Sequence, residues 1–182
     1  MKFDSIDATS DPAARGDTPQ VPGVHLVGGA KPIARLPIAI VMQRRVLKHR
    51  WADEAWAAVA VMADRGGLPP VQPLAQDADR QSWLVSGLSL ELFPDENEGY
   101  HENWLAPESK VFVMWRMQDG MAVPLRASVS YVEGTRMFDS GEAADGVAMP
   151  AEIHAWLGDY LRRHYTPRAP GGEQRHGKRA RF

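Results

Sequence analysis

The chain contains no cysteine. That excludes disulfides, thiolate metal sites and a cysteine nucleophile, and it suits a reducing compartment. Long apolar runs are also missing. The cleanest, "LPIAIVM", is far too short to cross a bilayer, which takes about 20 residues. The N-terminus, "MKFDSIDATSDPAARGD", has no apolar signal core and turns acidic early, so secretion is not expected and a cytoplasmic location is. Familiar catalytic patterns are absent too. There is no His-Glu-x-x-His pair, no Gly-x-Ser-x-Gly elbow and no phosphate loop; "VGGAKP" has glycines and a lysine in the wrong spacing.

What is present fits one domain with tails. The length is 182 residues, and 44% hydrophobic content is enough for a core of ordinary size. Residues 1–34 are rich in Ala, Gly, Pro, Asp, Thr and Ser without a sustained period. Such a segment does not offset a backbone entropy of about 1–2 kcal/mol per residue, and disorder is expected there, although "VHLVGG" could lie along the body. Residues 35–166 read as a single α+β domain. Residues 167–182 read as a disordered basic tail. Charge follows the same division: residues 35–165 hold 13 basic and 18 acidic side chains, a balance of −5, whereas 166–182 hold five basic and one acidic. Arg175, Lys178, Arg179 and Arg181 could meet phosphates, but a solvated tail is the simpler reading beside an acidic body.

Within the domain the pattern predicts an antiparallel sheet of about five to six strands with a C-terminal amphipathic helix packed on one face. "LPIAIVMQRRVL" reads as a strand from Leu36 to about Arg45. "WAAVAVMA" is read as a strand, although Trp51, Ala55, Ala58, Val59 and Met62 would also share a helical face. "SWLVSGLSLELF" is a long strand with Leu84, Leu88, Leu90 and Leu92 on one side, and "GYHENWLA" a shorter one. "KVFVMWRMQDGMAVPLRASVS" is the clearest hairpin. A three-residue loop, Gln118-Asp119-Gly120, pairs Val113 with Leu125 and Trp115 with Val123. It gives one apolar face of Val111, Val113, Trp115, Met117, Val123, Leu125, Ala127 and Val129. "SYVE", Ser130–Glu133, matches a capping box, opening a short helix that stops at Gly141. Pro150 opens the last helix, with Ile153, Trp156, Leu157, Tyr160, Leu161 and His164 on one face. His164 is expected to be packed or half-buried.

The stretch "FPDENEGYHENW" looks like chemistry, with Asp95, Glu96, Glu98, His101 and Glu102 close together. It fails the calcium-loop register, since position 6 is Tyr100 and position 12 is Ala106. On a strand, His101 and Glu102 point to opposite faces. A solvated acidic turn between strands is therefore preferred to a metal or acid/base site, and no catalytic residue, metal or cofactor is assigned. The remaining candidate is the second hairpin face, Phe112, Met114, Arg116 and Arg126. Aromatic, Met and Arg side chains are enriched at protein contacts, so these four form a candidate partner-binding surface. The competing expectation is that a helix or the N-terminal segment covers it.

The blocks "RWADEAW", "ELFPDENEGYHENW", "VFVMWRM", "ASVSYVEGTRMFDSGE" and "GVAMPAEIHAWLGDYLRRHYTP" resemble an uncharacterised bacterial family of unknown function. The likeness runs from about Leu36 to Pro167. Genes of that family often lie beside those for molybdenum-dependent formate dehydrogenase. The resemblance implies a non-catalytic accessory protein that binds a dehydrogenase subunit or maturation factor, with no membrane partner and no established site residues. The alternative is a small enzyme or ligand-binding protein handling a cofactor precursor in a deep pocket lined by Arg116, Arg126 or His101.

Overall fold

The computed structural model of the protein describes residues 31–49 and 52–167. The expectations for "VHLVGG", "VGGAKP" and the basic tail lie outside the described residues, except for the few residues that join them to the domain.

Four strands form the first sheet: β1 (Ala34–His49), β2 (Ala52–Ala63), β3 (Val71–Gln76) and β4 (Arg80–Leu92), in the order β2-β1-β4-β3 and antiparallel throughout. A 3-10 turn at Pro94–Glu96 leads into α1 (Asn97–Leu105). The second sheet contains β5 (Lys110–Gln118), β6 (Met121–Ser128) and β7 (Ala143–Ala148), in the order β6-β5-β7. Helix α2 (Tyr131–Asp139) links β6 to β7, and α3 (Ala151–His164) ends the domain. The mixed class and the C-terminal helix agree with the sequence; the single sheet does not. The strand expected at "GYHENWLA" is α1, and its helical path carries the chain off the first sheet before β5 begins. The edge strands β3 and β7 were not foreseen.

Alternation places Ile38, Ile40 and Met42 of β1 on the inner face, with Ala58 and Val61 of β2 and Val85, Leu90 and Leu92 of β4. The second sheet adds Val111, Val113, Ala122, Ala127 and Val147 to the same core, and α3 adds Ile153, Leu157, Tyr160 and Leu161. Asp145 on β7 joins the sheets. Its Oδ2 accepts from Trp115 Nε1 at 2.6 Å and from the backbone N–H of Ala58 at 2.8 Å. That amide lies beside Val59, where β2 inserts one residue against β1: Val41 faces Ala60 and Met42 faces Ala58.

Bulges also explain two errors of register. Leu84 does not share a face with Leu88, Leu90 and Leu92. Ile38 pairs with Leu88 and Ile40 with Val85, so one extra residue enters β4 around Gly87, whose φ of 98° suits glycine. Val85 therefore turns into the main core, and Leu84 packs outward with Ala39 and Val41. In the hairpin, Gln118 pairs with Met121 around a two-residue loop, with Asp119 at φ 49° and Gly120 at φ 79°. This is the mirror-image turn that matches strand twist, and aspartate tolerates its first position. Trp115 then faces Pro124, not Val123. Leu125 bulges, so that Val113 meets Ala127 and Met114 meets Arg126. Ala122 and Pro124 turn inward, while Val123 and Leu125 stay half-buried on the other side. Trp115 is inward as expected, packed against the core.

Gly87→Ala adds a methyl that meets nothing within 4 Å, so its cost is backbone strain alone. It should lower unfolding free energy by about 1–2 kcal/mol, read from the urea midpoint. An unchanged midpoint would show that the bulge relaxes.

Candidate functional site

The second hairpin face is built from β5 and β6 and then covered. Ser130 caps α2, accepting from the Glu133 N–H at 3.3 Å. The reciprocal half of the capping box is absent. The Glu133 carboxylate, buried, forms an ion pair with Arg126 and accepts from Ser128 Oγ. Ser128 Oγ accepts from the Ser130 N–H in turn. Gly134 then lies flat on Phe112; a methyl there would stand 2.6 Å from the ring. Tyr131 and Phe138 flank that ring edge-on, with centroids at 5.5 and 6.2 Å.

The four candidate contact residues consequently have different fates. Phe112 is 5% exposed and is no contact surface, because α2 lies over it. Arg126 is held by Glu133. Met114 is half-buried at the edge of α2, with its sulfur 3.8 Å from Ser140 Oγ, which donates to the Met137 carbonyl at 2.7 Å. Arg116 stays at the rim, 3.5 Å from Glu142 in an exposed ion pair. What faces outward is the next layer: Tyr131, Val132 and Phe138, at 39, 42 and 52% exposure. Two signals in the sequence point this way. A glycine sits inside a helix, and apolar residues lie on both sides of it.

The acidic stretch has a structural use at its centre. Glu96 Oε2 accepts from Ser130 Oγ at 2.7 Å, and Oε1 receives Arg136 at 3.2 Å. Gly99 allows this approach, since a methyl there would lie 2.6 Å from Ser130 Oγ. Asn103 is fully buried; its Nδ2 donates to the carbonyls of Lys110 and Val129, and its Oδ1 accepts from the Lys110 N–H. Asp95 and Glu98 point away, lining a shallow cleft with Pro94, Asn97, Tyr165 and Thr166. His101 packs on Tyr165 and Trp104, and Trp104 stacks on His154 at 5.4 Å. His164 is exposed, lying against Tyr160 rather than in the core. It ends the last turn of α3, where the chain straightens and none of the described elements covers it.

No group of three or more His, Asp or Glu side chains among the described residues could hold a metal ion. A second shallow cleft is lined by Ala106 to Lys110, Ala148, Met149 and His154. Neither cleft includes Arg116, Arg126 or His101. Among the described residues no helix is long and apolar enough to cross a membrane.

Two tyrosines are perturbed, Tyr100 the more strongly. Burial pushes the Tyr100 phenol well above its ordinary value, and nearby carboxylates add to the effect. Burial, then Asp95, raises Tyr160. The Tyr100 hydroxyl accepts from the Phe93 N–H at 3.1 Å and reaches the Glu91 carbonyl at 3.4 Å. On the inner face of the first sheet, Trp56 and Trp83 stack at 5.2 Å. Glu54 there is held below the usual carboxylate range by the Trp56 indole N–H and by Arg44.

A family model described as a protein of unknown function (DUF3305) matches residues 37–175, and the chain belongs to that family. The class is thus a mixed α/β domain with two antiparallel sheets and an aromatic helix over the second. No curated protein and no solved structure matches the chain.

Asn103→Leu removes the amide and strands two carbonyls and one N–H in the interior, so it should destabilise the fold by about 3 kcal/mol or more. Chemical denaturation checks this; a loss under about 1 kcal/mol would show that water replaces the amide. Tyr100 predicts a pH effect. Its folded pKa is raised, so its contribution is fully present below the unfolded value of about 10 and is lost as pH climbs beyond it. Tyr100→Phe should cost about 1 kcal/mol at pH 8 from the lost hydrogen bonds and should soften the alkaline decline. Urea titrations at pH 8 and 10.5 would contradict this if the decline were equally steep in both proteins.

Proposed function

We propose that this protein is a non-catalytic accessory protein that binds a protein partner, in the assembly or maturation of a molybdenum-dependent formate dehydrogenase. The observation that carries the binding reading is the outward face of α2. Tyr131 and Phe138 stand edge-on to the packed Phe112 and expose an apolar, aromatic patch with Arg116 at its rim, while Val132, about 120° round the helix from Phe138, is exposed on the α1 side beside Gly99. Aromatic anchors with arginine at the rim are the composition that protein contacts favour. The patch stands on a rigid support, because Gly134 and the Arg126–Glu133 pair fix the helix against β5 and β6, and little ordering entropy opposes docking. The choice of dehydrogenase rests on the resemblance of the sequence blocks to a family whose genes lie beside that enzyme's.

Affinity purification of the full chain from its native cells, with mass spectrometry, tests the reading. A formate dehydrogenase subunit or maturation factor should be recovered with the wild type. A Tyr131→Ser/Phe138→Ser variant should reduce that recovery at least about fivefold and stay folded, its unfolding free energy falling by about 1–3 kcal/mol for the two lost edge contacts with Phe112. Recovery of neither component, or equal recovery by both proteins, would reject the proposal.

A further inference from the structure

Most described arginines face a carboxylate. Arg35, Arg44, Arg65, Arg116, Arg126, Arg136 and Arg162 are paired with Glu91, Glu54, Glu152, Glu142, Glu133, Glu96 and Asp159. Arg163 lies in the last turn of α3, where the helix dipole favours a cation. Two others break the pattern. Arg45 on β1 and Arg80 on β4 are direct cross-strand partners, both exposed. Among the described residues neither forms an ion pair, although Asp77 and Asp79 stand in the adjoining β3–β4 turn. Like charges directly opposite one another in a sheet destabilise it. This fold retains that cost at a place where one substitution would remove it.

The surroundings indicate what the pair would meet. Arg45 lies on the outward face of the first sheet, because Arg44 beside it turns to the Trp56 side and bonds Glu54 and Gln81. Leu47, two residues on, is 37% exposed, but β1 takes in an extra residue against β2 between Val46 and His49, so alternation does not carry past Val46. Ala55 is the β2 partner of Arg45, and Ala57 that of Gln43. The result is two arginines at directly paired positions, with Ala55 and Ala57 on one side and the hydrogen-bonded Gln43 and Ser82 next along the strands. The stacked tryptophans are on the other face, so among the described residues no aromatic ring is offered to a nucleobase there. The body around the pair carries a balance of −5, which opposes a long polyanion but not a short one.

We propose that the Arg45–Arg80 pair, with Ala55 and Ala57, is a docking surface for an acidic segment of a partner protein. Two carboxylates of the segment meet the guanidinium groups, and an apolar neighbour rests on the two alanines. The inference rests on the partner-binding reading but uses a different sheet from α2, so the two can fail separately.

The test uses the full chain and a fluorescein-labelled peptide of Glu-Glu-Leu repeats, with oligo-dT as the competing polyanion, followed by anisotropy at low salt. The peptide should bind. Arg45→Ala and Arg80→Ala should each weaken it by about tenfold, as loss of a charge-assisted pair does, and the double variant should abolish it. Phe138→Ser and removal of residues 168–182 should leave it unchanged. Without peptide, Arg80→Ala should match or exceed the wild-type urea midpoint, because the like-charge opposition is gone. Peptide binding that is absent, that ignores both arginines, that is lost with the tail, or that oligo-dT matches would overturn the proposal. So would a clear fall in the Arg80→Ala midpoint. Native partner capture that depends on α2 and is indifferent to Arg45 and Arg80 would reject this surface alone.

Discussion

The arrangement of this domain depends on one buried amide. Asn103 has no solvent contact, and its side chain satisfies both ends of the strands it touches, the start of β5 and the residue that follows β6. An unpaired backbone group in that place costs as much as a lost hydrogen bond or more. The amide therefore ties α1 to the second sheet in one position. Given that position, Glu96 reaches the Ser130 hydroxyl and Gly99 lets the two segments approach. Ser130 then caps α2, and α2 lies down on Phe112. The proposed contact face on α2 thus depends on a buried polar residue of α1.

Glu133 shows the same economy. Its carboxylate leaves the capping box and joins Arg126 and Ser128, so a charge nearly removed from water has a guanidinium and a hydroxyl as partners. Such pairs add little net stability, but losing one partner is costly. Their effect here is to fix where α2 sits. The aromatic residues outside it are consequently presented rather than left loose, which is the property a docking surface needs. On the other sheet, Arg45 and Arg80 have no such partner among the described residues. Among the described residues, seven of the other eight arginines have a carboxylate partner.

The acidic stretch is instructive for the same reason. Its carboxylates look like a site when read as a string. In the fold Glu96 turns inward to hold α2, and Asp95 and Glu98 turn outward, while His101 packs on Trp104 and Tyr165. Helical geometry spreads neighbours by about 100°, and that divides the cluster.

The sequence by itself determined much of the local structure. Alternation gave β1, β2, β4 and the β5–β6 hairpin; Ser130, Gly141 and Pro150 marked helix ends; and 3-4 spacing gave the buried face of α3. These are statements about residues near one another in the chain, where side-chain parity and backbone preference act directly. Tertiary structure decided the rest. Whether "GYHENWLA" is helix or strand depended on Asn103, Gly99 and Glu96 finding partners far along the chain. The division into two sheets followed from that choice. Bulges at Val59, Gly87 and Leu125 each reversed parity, and with it which side of Leu84 or Val123 meets the core. A bulge has almost no signal of its own, since one inserted residue is favourable only when the layer above rewards the shift.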